Sequence, residues 1–319
     1  MTYLIVTFVK ILIMLALVLK STGKNFIVKT INGKILPCNI RGKLRLSISK
    51  STNPVVVGDW VEIDENETSG NITFVKERKN YIVRRSVNLS RQNHVIAANL
   101  DQTCLIITII RPETNTEFID RYLCTAQAYK IPVVLVFNKI DIYNAQQSEL
   151  LNNLKSVYCN IGYKCICVSA KTNEGIENFR QLLSKKVSLI SGNSGVGKSS
   201  LINCIEPDYN LKVAKISEYH LKGKHTTTFS EMFELSDGGY IIDTPGIKGF
   251  GIINIGNEEL FHYFPEMFKL TKNCQYYNCT HTHEPNCAVK NAVASGEVAE
   301  SRYHSYLNIL FDENEKHRT

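Results

Sequence analysis

The sequence predicts a multidomain chain: an N-terminal OB-type β-barrel, a central α/β layer on a parallel sheet, and a helical C-terminal tail gathered around cysteine and histidine. Three observations carry this. From Met14 to about Val87, short β-rich runs alternate with glycine or polar breaks. The middle of the chain then switches to continuous apolar runs separated by helical periodicity. After about Gly251 the strand pattern stops and a Cys/His cluster follows. A length of 319 residues gives room for two or three such units.

The first strand is expected to begin near Met14. Residues 3–19 are nearly all apolar, but Lys10 interrupts them, no small-residue cleavage site follows and the run is short for a membrane span. Residues 1–13 are therefore read as an extension or non-native segment, Met14 as the start, and membrane association is not expected. Residues 25–30, 34–40, 45–48, 59–63 and 72–75 read as further strands, with a turn at Asn32-Gly33. Five or six short strands suit an OB-type barrel over residues 14–88, the usual small barrel for single-stranded nucleic acid. Arg41, Lys43 and Arg45 alternate, so one strand face would carry all three. Lys76, Arg78, Lys79, Arg84, Arg85 and Arg91 extend the positive charge. Such a surface suits phosphate contacts, the alternative being a solvated basic face. Trp60, between Asp59 and Val61, reads as core rather than as a stacking platform.

Residues 89–251 form the α/β unit. Strands are expected over 104–110, 133–137, 165–168, 187–191 and 240–243, and helices over 116–129, 174–184 and 198–205. Residues 252–319 make the tail.

One loop of this layer carries a full phosphate-binding pattern: Gly192, Asn193, Ser194, Gly195, Val196, Gly197, Lys198, Ser199 and Ser200. Its glycines let backbone N–H groups face a β-phosphate at a helix N-terminus. Lys198 would neutralise β- and γ-phosphate charge, and the Ser199 hydroxyl would ligate magnesium. Asn138, Lys139, Ile140 and Asp141 follow an apolar strand at the carboxyl edge of the sheet, where ligands bind in such folds. The Asp141 carboxylate can accept from guanine N1–H and N2–H₂, which adenine lacks; Asn138 would contact the base edge and Lys139 lie along the ring. Ser169, Ala170 and Lys171 add a turn whose alanine N–H would reach guanine O6. Together they favour GTP over ATP. Asp243 would hold magnesium through water, and the Gly246 N–H would sense the γ-phosphate. Between the phosphate loop and Asp243 lie His225, Thr226, Thr227 and Thr228, and one threonine is needed to close over magnesium. Which one, the sequence leaves open.

The order of these parts is unusual. The guanine motif precedes the phosphate loop, whereas ordinary GTPases run the other way; the chain is circularly permuted. The segments that sense the nucleotide stand immediately before the tail, so hydrolysis would be able to move the tail directly. With RGKLR at 41–45, VVGDWV at 56–61, IAANLD at 96–101, HTTT, DTPG and the tail CQYYNCTHTHEPNCAV at 274–289, the chain resembles the RsgA (YjeQ) family of circularly permuted GTPases. The likeness runs from Met14 over nearly the whole chain. It implies an OB domain, a permuted P-loop GTPase domain and a zinc domain, with the small ribosomal subunit and its rRNA as partners, GTP and GDP as ligands, and action late in subunit maturation.

The position after DTPG that often holds a water-orienting glutamine is Ile247 here. Another group must position water, and His225 is the nearest candidate, a role the resemblance implies; it could instead contact RNA or stabilise the loop. Turnover is then expected to be slow until a partner orders the site. Cys274, Cys279, His281 and Cys287 supply three thiolates and an imidazole for one closed, structural zinc. His283 competes by spacing, and the family pattern assigns His281. The net charge of +7 leans toward a polyanionic partner only weakly. The other seven cysteines mostly sit in apolar runs as small hydrophobes, which fits a reducing cytoplasm. A monomer is expected. Rival readings are a GTP-dependent translation or RNA-modification factor, which would need a further catalytic domain, and a membrane-tethered switch resting on residues 1–19.

Overall fold

The computed structural model describes residues 13–23, 25–40, 54–65, 68–84, 94–209, 230–243 and 256–311. The barrel is built from β1 (Ile13–Ser21), β2 (Asn25–Thr30), β3 (Ile35–Ile40), β4 (Trp60–Glu65) and β5 (Gly70–Val75). Each strand pairs in the order β1-β2-β3-β5-β4 and β4 returns to β1, which closes the sheet. All these pairs are antiparallel except β3 with β5. Alternation decides the faces. Phe26 and Val28 on β2, Leu36 and Cys38 on β3, Val61 and Ile63 on β4 and Ile72 on β5 all point inward and pack together. Burying each of the larger ones contributes about 1.5–3 kcal/mol. With Val61 and Ile63 inside, the same pleat turns Trp60 outward; it is 38% exposed, not core. Residues 45–48 lie outside the described residues.

A two-stranded ribbon the sequence did not signal, β6 (Tyr81–Arg84) with β7 (His94–Ala98), joins barrel to layer. It docks on the VVGDWV turn. The Ala98 N–H donates to the Val57 carbonyl at 3.0 Å, and a Cβ on Gly58 (φ +88°) would strike the Ala98 carbonyl, so only glycine fits. The Arg78 guanidinium closes the same turn on fully buried Asp59, Nε to Oδ1 at 2.7 Å and the second nitrogen to Oδ2 at 2.7 Å.

The layer comprises β8 (Gln102–Ile107), α1 (Thr116–Ala128), β9 (Val133–Phe137), α2 (Ala145–Ile161), β10 (Lys164–Cys167), α3 (Ile176–Leu183), β11 (Val187–Ser191), α4 (Lys198–Ile205), β12 (Ser230–Glu234) and β13 (Tyr240–Asp243). The strands lie in the order β10-β9-β8-β11-β13-β12, parallel but for β12. Every residue of β8 and β9 is buried, as the runs required. One face packs against α1 and α2, through Tyr122, Leu123 and Tyr158; the other packs against α3 and α4, through Phe179, Leu182, Leu201 and Ile202. Asn115 caps α1, accepting from the Phe118 N–H at 2.8 Å, and Asn144 with Gln147 forms a capping box on α2. At its far end, β1 leaves β4 and pairs with β12 instead, Lys20 opposite Glu231 and Ser21 opposite Ser230.

The tail carries α5 (Pro265–Leu270), α6 (Ala288–Ala294) and α7 (Glu300–Leu310). Phe264, Met267, Val289, Tyr306 and Ile309 form its core, which reaches Cys124 on α1. Among the described residues no helix is long and apolar enough to cross a membrane.

Candidate functional site

The parallel strands point their carboxyl ends the same way, so β9, β10, β11 and β13 all end at one edge of the sheet. The phosphate-binding pattern occupies the loop between β11 and α4. Gly192, Gly195 and Gly197 have φ of +142°, +84° and +97°. A Cβ on Gly192 would lie 2.5 Å from the Ile106 carbonyl, and one on Gly197 would strike Asn138. The left-handed backbone and the close approach both require glycine. Val196 is fully buried and pins the loop to the α3–α4 face. Lys198 lies across the loop, its Nζ donating to the carbonyls of Gly192 at 2.7 Å and Asn193 at 2.8 Å. Ser199 is buried one position into α4, Asn193 and Ser200 are half-buried, and Ser194 is exposed.

The guanine motif is tied to that loop atom by atom. Asn138 is buried, and its Nδ2 donates to the Val196 carbonyl at 2.8 Å. Lys139 takes a left-handed φ of +64°, which turns its side chain back so that Nζ donates to the Gly195 carbonyl at 2.7 Å and to the Arg111 carbonyl. Desolvation lowers the Lys139 pKa, offset by the nearby Asp141 carboxylate. Ile140 begins a short 3-10 turn that exposes Asp141. The Ser169 hydroxyl donates to Asp141 Oδ1 at 2.6 Å and accepts from the N–H groups of Lys171 and Thr172 at 3.3 and 3.1 Å. The Ala170 carbonyl faces the Cys204 thiol of α4 at 3.3 Å. Three motifs separated in the chain are thus one braced unit. Sequence reasoning missed the turn formed by residues 108–115, whose Arg111 carbonyl holds Lys139 and whose Pro112 ring abuts Gly195. It carries no recognisable pattern.

Asp243 ends β13 opposite Ile190 of β11, which brings its backbone beside the strand that feeds the phosphate loop. His225, Thr226, Thr227, Thr228 and Gly246 lie outside the described residues, as do Arg41, Lys43 and Arg45.

The tail gathers the second constellation. One ligand atom each from Cys274, Cys279, His281 and Cys287 lies within 4.8 Å of the others. His281 Nδ1 is 3.3 Å from Cys287 Sγ and 3.7 Å from Cys274 Sγ. Tetrahedral zinc bonds would place such donors about 3.6 Å apart. Burial pushes the Cys279 thiol up to about 12 and lowers the His281 imidazole, so the pair is neutral until a cation displaces the thiol protons. The donor set fits zinc. His283 is exposed and bonded to Thr282 Oγ1 at 2.9 Å, outside the cluster. His281 itself has φ +61°. Its loop is fastened by Tyr303 and Tyr306, whose hydroxyls donate to the carbonyls of His281 at 2.7 Å and Thr280 at 2.6 Å. Burial raises the Glu284 pKa, but hydrogen bonds from Thr280 and Thr282 outweigh it and hold the carboxyl down at about 2.

Part of the basic surface is paired within the protein, Arg78 on a buried carboxylate and the two lysines in exposed pairs. Arg78 is taken by Asp59, Lys76 pairs with Glu62, and Lys79 pairs with Asp101 at 3.1 Å.

Comparison with known proteins agrees with this geometry. Residues 75–253 match the family model for the RsgA GTPase, and residues 17–72 match that for the RsgA N-terminal domain. The small ribosomal subunit biogenesis GTPase RsgA of Phocaeicola vulgatus is 54% identical over 303 residues, covering 95% of this chain and 98% of the relative. Its counterpart from Porphyromonas gingivalis is 52% identical, covering 93% and 96%. Among solved structures, YjeQ from Thermotoga maritima superposes with a TM-score of 0.79 at 36% identity, over 94% of this chain and 98% of that one. YloQ, a circularly permuted GTPase, gives 0.74 at 26% identity, over 96% of each.

Proposed function

The chain belongs to the RsgA GTPase family and is a GTP hydrolase; from that premise we propose that it binds the small ribosomal subunit, hydrolyses GTP to assist late maturation of that subunit, and leaves after hydrolysis. It acts as a cytoplasmic monomer. The observation that carries the nucleotide reading is the set of bonds from Asn138, Lys139 and Ser169, which assemble the phosphate loop and the guanine motif despite their permuted order.

The phosphate-loop N–H groups and Lys198 bind the β- and γ-phosphates; the Lys198 ammonium, now lying on the Gly192 and Asn193 carbonyls, turns to the phosphate oxygens. Asp141, braced by Ser169, accepts from the guanine edge, and Ala170 N–H donates to O6. Magnesium, when bound, neutralises phosphate charge, and Ser199, one threonine of 226–228 and Asp243 would hold it. Gly246 N–H binds the γ-phosphate. His225 orients the attacking water in place of the glutamine that Ile247 replaces. Arg41, Lys43 and Arg45 contact rRNA phosphates. Cys274, Cys279, His281 and Cys287 hold one zinc that fixes the tail's fold and takes no part in hydrolysis.

The test is GTP turnover with and without isolated ribosomal subunits. Small subunits should raise the rate many-fold and large subunits should not; no stimulation by small subunits overturns the ribosomal part of the reading.

A further inference from the structure

Tyr143, two residues beyond the guanine motif, holds its ring against the main core cluster and its hydroxyl between two loops of the nucleotide site. The hydroxyl donates to the Asn138 carbonyl at 2.6 Å and accepts from the Ile109 N–H at 2.9 Å. Burial raises the phenol pKa, so it stays neutral, with a proton to donate and a lone pair to accept. Both partners belong to buried residues.

These two partners matter because of their neighbours in the chain. Asn138 precedes Lys139, and the pair reaches the Val196 and Gly195 carbonyls of the phosphate loop. Ile109 lies in the turn whose Arg111 carbonyl receives Lys139 and whose Pro112 ring abuts Gly195, where an added Cβ would meet Pro112 Cδ at 3.5 Å. One hydroxyl therefore closes a ring of contacts: turn, guanine motif, phosphate loop and back to the turn. Asn138 is held otherwise by its own N–H, which donates to the Ile107 carbonyl at 2.8 Å, and by its Nδ2. Its Oδ1 is buried with no partner among the described residues, so Nδ2 and the main chain alone set the orientation of the amide.

We propose that Tyr143 is a positioning residue for guanine nucleotide: by holding the Asn138 carbonyl against the 108–115 turn, it keeps the base-reading and phosphate-binding loops in register before ligand arrives. The inference rests on the nucleotide site argued above. It concerns affinity and not the chemical step, because Tyr143 touches neither the phosphate loop nor its magnesium-binding serine through any described contact.

The experiment is Tyr143→Phe in the full chain, which keeps the ring and removes only the hydroxyl. GDP affinity is read by titration with a fluorescent GDP analogue, and KM and kcat by steady-state GTP hydrolysis. Leaving two buried backbone groups unpaired should weaken GDP binding about ten-fold. KM should rise in parallel while kcat at saturating GTP changes less than about two-fold, the split expected when binding alone is lost. Unchanged GDP affinity overturns the proposal, whether or not the melting temperature falls, since the residue would then only support the core. A proportional fall in kcat with KM unchanged also overturns it, marking a smaller folded fraction. Should the unaltered chain bind no guanine nucleotide, the nucleotide reading itself fails, an outcome visible before any variant is made.

Discussion

The central layer is gripped from two sides by attachments of opposite kind. The barrel joins it through main chain, through buried Leu17 and Val57 in the layer's main core cluster, and through charges that stay at the surface. β1 pairs with β12, and Lys20 to Glu231 at 3.0 Å and Lys29 to Glu234 at 2.5 Å flank the seam, all partly exposed. The tail joins it through buried charge. Arg302 of α7 is 1% exposed and donates to Asp120 of α1 at 2.7 Å and to Glu266 of α5 at 2.7 Å, while the Tyr158 hydroxyl of α2 donates to Asp120 at 2.8 Å. The guanidinium also lies 4.6 Å from the Phe264 ring centroid. Burial pushes the Asp120 carboxyl up and Arg302 pulls it down, so the carboxylate depends on its partner. An exposed pair can part with little loss, whereas a buried charge cannot be abandoned. The tail is therefore fixed to α1 and α2, although its covalent link to the layer runs from β13. The expectation that hydrolysis moves the tail through that link has to include α1 and α2 moving with it.

The contrast can be broken at its strongest point first. Stripping zinc with a chelator should unfold the tail, because ion binding and folding of such a site are one event worth on the order of 10 kcal/mol; far-UV circular dichroism should show loss of the tail helices while GDP binding by the layer survives. Next, Arg302→Met should leave buried Asp120 and half-buried Glu266 without a counter-ion and cost about 3–5 kcal/mol, read as a drop in the denaturant midpoint. Adding Asp120→Leu should recover much of that loss if charge pairing, and not packing, is what Arg302 supplies. Smallest of all, Lys20→Ala should cost less than about 1 kcal/mol and lose even that in high salt. A Lys20→Ala effect as large as that of Arg302→Met would erase the distinction between the two attachments.

The phosphate-loop geometry and the Cys/His cluster were legible in the sequence because each is a short run of the chain. Gly192 and Gly197 have positive φ that favours glycine before any neighbour is considered, and the Cys274 to Cys287 spacing fits one ion. The clamp was not legible. Asp120 and Arg302 are 182 residues apart, and a single charge on an amphipathic helix reads as a solvated one until the fold buries it. Tyr143 was hidden for a similar reason, since its role depends on Ile109, in the turn after β8, being brought against it. Trp60 was misread because an aromatic between short strands can face either way, and only the inward register of Val61 and Ile63 decides. In the basic run at 76–79, Arg78 is committed to buried Asp59, while Lys76 and Lys79 make only exposed pairs with Glu62 and Asp101. Composition counts charges without their partners.

The pairing of β1 with β12 also protects the protein from itself. β12 is the outermost strand of the layer's sheet, and its outer row of N–H and C=O groups would otherwise be a template for any passing strand. The barrel's first strand bends across to occupy part of that row, so the segment that starts the barrel also guards the sheet against self-association. A fragment lacking residues 1–88 would bare the β12 edge and should aggregate where the full chain remains dispersed.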